Sequence, residues 1–198
     1  MSLRRQVQLV GHCGPTCVSM LFEQQGVCLT QEEIAAAAGV SSTIHRSGSR
    51  IDQLALAVTA LEPRFVMMGR YNCDLHHLEH LLSLGLFPGV EWQGRFVFDK
   101  SHHQFDVGHY SIVTAIDRAA GLIYIVDPDD KSVFSHGVVG LEDFRARWWE
   151  DNEIVKGSKH RSFGLAFVVI PASMAAKVRV QGFEQVSYDF SMNSSIAL

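Results

Sequence analysis

Three residues of this chain have the types and settings from which thiol chemistry is built. A cysteine is a nucleophile when it is a thiolate at working pH, and a helix N-terminus favours the thiolate through its free backbone N–H groups and dipole. Cys13 has that setting: Gly14-Pro15-Thr16 opens a helix predicted over 14–25, with proline in the first turn and Gly26 as the stop. Gly14, lacking a side chain, leaves room for a substrate backbone to come close. A base is best presented from a rigid strand, and His109 begins the β run Gly108-His109-Tyr110-Ser111-Ile112-Val113. A carboxylate must then hold the imidazole, and Ile123-Tyr124-Ile125-Val126-Asp127-Pro128 ends a strand with Asp127. A turn near Gly121 makes the two strands a hairpin, with His109 and Asp127 at the same end. Each residue also has a plainer reading: a buried cysteine at a helix start, a core histidine, an Asp-Pro turn. In the order Cys, His, Asp they point together to thiol acyl chemistry.

The elements that must position these residues follow from pattern. Val18, Leu21 and Phe22 give the first helix one apolar stripe. Thr30-Gln31-Glu32-Glu33 is a capping box before an alanine-rich helix that ends at Gly39. Ile51, Leu54, Ala55, Val58 and Leu61 repeat at helical spacing up to Pro63, and Leu75, Leu78 and Leu82 mark a further helix closed by Gly85. Short strands are predicted over 64–68, 89–92, 110–116, 122–126, 132–134 and 165–170, with one helix over 141–149 among them. Such an order implies an α+β fold, a helical N-terminal half packed on an antiparallel β-sheet C-terminal half. The chain is expected to form one domain over 1–198, with a core over about 6–171 and an arm, an extra strand or a mobile tail over 172–198.

Composition narrows the classes. The 198 residues are 47% hydrophobic and 19% charged, which suits a folded domain rather than a disordered chain. A formal net charge of −4 without a basic stripe argues against nucleic acid as a partner. No run reaches the roughly 20 apolar residues needed to span a bilayer. Arg4 and Arg5 are followed by no apolar signal segment, so a soluble, cytoplasmic protein is expected. Four cysteines, Cys13, Cys17, Cys28 and Cys73, are no disulfide framework; the last three are expected to be mostly buried small hydrophobes. His76 and His80, four apart on a predicted helix, are a conceivable ligand pair but read better as a solvated face. No metal and no cofactor are expected. The stretch 93–107, with His102, His103 and Phe105, leads into His109 as a candidate cleft wall or a plain exposed loop.

Gln8, Cys13-Gly14-Pro15-Thr16, Gly108-His109-Tyr110 and Val126-Asp127-Pro128 together resemble the bacteriocin-processing peptidases, which remove leader peptides after a double glycine. The resemblance runs from about Gln8 to Ile170 and includes Leu141-Glu142-Asp143-Phe144 after the Asp strand. It implies a papain-like fold, a peptide or protein substrate, and a Cys13–His109–Asp127 site working through a thioester. It also implies an upstream glutamine as oxyanion donor. The usual separation is six; Gln8 lies five residues before Cys13 and Gln6 seven, and Gln8 is preferred. His12 stands where the family often has an acidic residue. A papain-like binding module without catalysis and a thiol acyltransferase are the alternatives that the same residues leave open.

Overall fold

Two helices of this chain begin where a side chain satisfies the first backbone N–H groups. The computed structural model describes residues 3–93, 108–131, 137–155, 158–188 and 190. Helix α1 spans Cys13–Gln24, α2 Gln31–Ala37, α3 Ile44–Ser47, α4 Ile51–Leu61 and α5 Leu75–Ser83. Thr30 caps α2 by accepting from the Glu33 N–H at 3.1 Å, while the Glu33 carboxylate accepts from the Thr30 N–H at 2.8 Å. Asp74 caps α5 in the same way, accepting from the His76 N–H at 2.9 Å. Gly26, Gly39 and Gly85, all at positive φ, follow the ends of α1, α2 and α5.

The strands are β1 Phe65–Arg70, β2 Gly89–Trp92, β3 His109–Asp117, β4 Leu122–Val126, β5 Val138–Gly140, β6 Trp149–Val155, β7 Ser158–Phe163, β8 Ala166–Pro171 and β9 Glu184–Gln185, with helices α6 Leu141–Arg147 and α7 Ala175–Arg179. Seven of them form one sheet in the order β5-β4-β3-β2-β8-β1-β9, and every neighbouring pair is antiparallel. Strands β6 and β7 form a separate hairpin. The sheet has an apolar layer on each face. On one, Met67, Ile112, Phe167 and Val169 pack with α1, α2 and α4. On the other, Val113, Ile125, Val168 and Ile170 pack with residues of α5, α6 and α7. Strand β8 feeds both layers alternately, which explains its unbroken apolar run.

The mixed helix and antiparallel-sheet fold is the one expected, and the helix and strand boundaries fall within a few residues of those predicted. The differences have physical causes. Helix α1 carries no single stripe: Gly14 to Phe22 are all buried. Its polar members are satisfied inside, Thr16 by Gln31 at 2.8 Å and Ser19 by the Leu29 carbonyl at 2.5 Å. The predicted strand at 132–134 lies outside the described residues, and the edge strand beside β4 is β5. The segment after 171 contributes α7 and β9, which pairs with β1, and buries Phe183 and Val186. Strand β3 contains a bulge at Thr114, between the pairs Val113–Ile125 and Ala115–Tyr124. Among the described residues, no helix is long and apolar enough to cross a membrane.

Candidate active site

Cys13 is the first residue of α1, with His12 as an N-cap whose side chain makes no capping bond. Of the first turn, Pro15 has no N–H and the Thr16 N–H donates to the His12 carbonyl at 2.8 Å, which leaves the Gly14 N–H for the Cys13 sulfur. Burial by itself would raise the thiol, but hydrogen bonding and charge from His109, with the backbone N–H groups of Tyr110 and Gly14, bring it below its ordinary value. His109 opens β3, is 2% exposed, and uses Nε2 to contact Asp127 Oδ1 at 2.8 Å. That leaves Nδ1 as the ring nitrogen not engaged by Asp127, and the Cys13 and His109 side chains lie near enough to shift each other's protonation. Burial would lower His109, yet the bonds to Asp127 and Cys13 push it up to about 10. A thiolate beside an imidazolium is the protonation state this balance favours.

Asp127 follows β4 directly, and the antiparallel register of β3 and β4 brings it beside the start of β3. Its Oδ1 also accepts from the Asp129 N–H at 2.8 Å, so the turn role and the contact to His109 coexist in one side chain. Ser111, two residues along β3 and so on the His109 side of the strand, donates to Asp127 Oδ2 at 3.5 Å and accepts from Trp92 Nε1 at 3.0 Å. All of these residues except Cys13 are buried. Period-two spacing on a strand was the signal that would have found Ser111 from sequence.

The two glutamines are placed differently. Gln6 is fully engaged with α1, donating to Glu23 at 2.9 Å and accepting from Ser19 at 3.0 Å. Gln8 lines the cavity that holds Cys13 and His109. Its backbone N–H donates to the Pro128 carbonyl at 2.9 Å, and its side-chain oxygen is buried without a partner among the described residues. The cavity encloses about 650 Å³. Its far wall comes from the stretch around α3 and the start of α4, including Ser49 and Arg50, and Glu91 and Glu150 also border it. Sequence reasoning missed this wall, which a loop carries to the site and no motif marks.

Gly14 corrects one expectation. A Cβ there would lie 2.5 Å from Ser49 Oγ, 2.9 Å from Leu54 and 3.2 Å from Tyr110. The missing side chain lets α1 pack against α4 and β3, not a substrate against the chain. Gly14→Ala is therefore expected to destabilise the fold by about 1–3 kcal/mol through overpacking, measured as a lower urea midpoint with unchanged slope.

The remaining candidates separate clearly. Cys17 is buried and Cys73 is half-buried, with burial pushing Cys73 up to about 12, but Cys28 is exposed, against expectation. His76 approaches Glu79 at 3.6 Å, and among the described residues no group of three or more possible ligands gathers to hold a metal. His102, His103 and Phe105 lie outside the described residues.

A scan against protein-family models and a search of curated proteins found no match. Solved structures do match. The peptidase domain of Streptococcus ComA, a bifunctional ABC transporter of a quorum-sensing pathway, aligns with a TM-score of 0.59 at 17% identity, over 86% of this chain and 99% of that one. The chain has the fold of the C39 peptidase domains. A C39-like peptidase from Bacillus anthracis gives 0.55 at 16% identity, covering 82% of this chain and 94% of its own. The double-glycine-motif protease of an AMS/PCAT transporter, solved in complex with its leader peptide, gives 0.51 at 19% identity over 86% and 91%. In this chain the C39 fold carries a cysteine at a helix start, a histidine at a strand start and an aspartate beside them.

Proposed function

We propose that this protein is a cysteine peptidase that cleaves a peptide bond through Cys13, His109, Asp127 and Gln8. The observation that carries the reading is the buried His109–Asp127 pair at 2.8 Å on the same cavity as Cys13, the first residue of α1. The thiolate attacks the substrate carbonyl carbon, and a C–S bond forms. The negative charge on the former carbonyl oxygen is met by the Gln8 side-chain amide and the Cys13 backbone N–H. His109 gives its proton to the leaving amine as the C–N bond breaks, leaving a thioester. His109 then takes a proton from water, whose oxygen displaces the thiolate and releases the acid. Asp127 keeps the imidazole oriented and its charged form stabilised throughout. The similarity to a protease bound to its leader peptide favours an extended peptide as the occupant of the cavity. A peptide with a double glycine before the cleaved bond is the first substrate to try.

Gln8 has the properties of a preorganised donor, since its backbone is held and its amide makes no hydrogen bond among the described residues. Gln8→Ala is expected to slow acylation by about 10²–10³-fold, while alkylation of Cys13 by iodoacetamide, which creates no oxyanion, keeps its rate. Gln6→Ala should leave acylation within a few-fold of the parent. Stopped-flow acylation by a p-nitrophenyl ester of an N-blocked dipeptide, beside mass-spectrometric alkylation rates, reads both. The reverse ranking of the two glutamines would overturn the assignment of Gln8.

A further inference from the structure

Gln8 belongs to a stretch, residues 3–12, that has no regular secondary structure. An oxyanion donor on such a stretch needs something to stand in for a sheet or a helix, because a donor displaced by an ångström loses most of its effect. Gln31, the first residue of α2, has the contacts for this. Its Nε2 donates to the Val7 carbonyl at 3.1 Å, and its Oε1 accepts from the Leu9 N–H at 2.8 Å. One side-chain amide thus bonds the backbone groups immediately before and after Gln8, as a neighbouring strand would. From the other side, the Gln8 N–H is held by the Pro128 carbonyl at 2.9 Å. With three backbone groups fixed, the direction in which the Gln8 side chain leaves the backbone is fixed too.

We propose that Gln31 is a positioning residue that sets the Gln8 amide against the reacting carbonyl; the inference rests on the oxyanion role given to Gln8. A further contact ties the device to the nucleophile. Thr16, one helical turn after Cys13 on α1, donates its hydroxyl to Gln31 Oε1 at 2.8 Å. The path from thiol to oxyanion donor therefore runs through α1, Thr16, Gln31 and the backbone on either side of Gln8. Gln31 touches no reacting atom: it is absent from the residues lining the cavity. Its effect must pass through Gln8.

The test is a double-mutant cycle on the full chain, read by acylation with the p-nitrophenyl ester and by iodoacetamide labelling of Cys13. Gln31→Ala should slow acylation about 10- to 100-fold, with the labelling rate within twofold of the parent. In a Gln8→Ala background the same change should cost less than twofold, because the group it positions is gone. Gln31→Glu keeps the acceptor for Leu9 and Thr16 but offers no donor to Val7, and should fall between the two. If Gln31→Ala costs as much in the Gln8→Ala background as alone, the residue only supports the fold and the proposal fails. It fails equally if Gln8→Ala is severe while Gln31→Ala is silent. A silent Gln8→Ala would instead remove the oxyanion reading itself, and with it the role given to Gln31.

Discussion

Cys13→Ala leaves no measurable cleavage of any peptide that the parent cleaves, and no acyl-enzyme forms with an activated ester. The expectation is absolute because no neighbouring group replaces the nucleophile: Cys17 is buried with its thiol held well above the ordinary range, first by burial and then by the charge of Cys13. The exposed Cys28 gives the experiment its internal reference, since it should still be alkylated in the variant. Intact-mass spectrometry after ester treatment should show an added acyl group on the parent and none on Cys13→Ala. An acyl adduct of equal yield on the variant would place the chemistry elsewhere.

His109→Ala is the second large effect, and its pH dependence distinguishes a catalytic pair from a structural contact. In the parent, Cys13 lies below its usual value and His109 near about 10, so a thiolate and an imidazolium coexist between those limits. Below the lower limit the thiol is protonated and cannot attack. Above the upper one the imidazole has lost the proton that the leaving amine needs. Peptide cleavage should therefore follow a bell whose alkaline limb lies near about 10; both limbs belong to the pair as a unit. Removing the imidazole leaves the burial that raises the thiol and takes away the main partner that lowered it. At pH 7, Cys13 labelling should fall about tenfold for each unit by which its pKa rises above 7. Cleavage should fall further, by about 10³-fold or more, because the proton donor is also lost. Labelling of Cys13 at the parent rate in His109→Ala would show that the thiolate owes nothing to the histidine.

Much of the architecture could be read before the structure, because its signals are local. The capping box at Thr30, the glycines after α1, α2 and α5, and the turn at Gly121 each act within a few residues of the element they bound. The meeting of Asp127 with His109 was legible for the same reason: a hairpin with a tight turn carries its register in the sequence. What stayed hidden depends on partners far along the chain. Strands β6 and β7, with charged runs such as Trp149-Glu150-Asp151-Asn152, have no apolar alternation and are defined by pairing with each other. The two-residue β9 exists only by pairing with β1. Gly14 resembled an open approach because the sequence cannot show that Ser49, Leu54 and Tyr110 converge on it. The spacing of Gln6 and Gln8 could not separate them, whereas their partners do: one amide is spent on α1 and the other is not.

The bulge in β3 makes residue parity part of the chemistry. Successive side chains on a strand point to opposite faces, so counting back from the β3–β4 turn decides which of two neighbours faces Asp127. Were Thr114 taken into the regular pairing opposite Ile125, every residue before it would move one place, and Tyr110 would stand where His109 now stands. The bulge changes odd to even partway along the strand. Ala115 and Asp117, on the turn side, are exposed, while 109 to 113 are buried without a break. Deleting Thr114 itself would close the bulge and leave Val113 opposite Ile125, with His109 in its place, whereas one residue inserted between His109 and Val113 would turn the imidazole away from Asp127. In the paired part of this strand, changes of two residues should therefore spare the sheet's packing better than changes of one, while the bulge should tolerate the loss of its single residue.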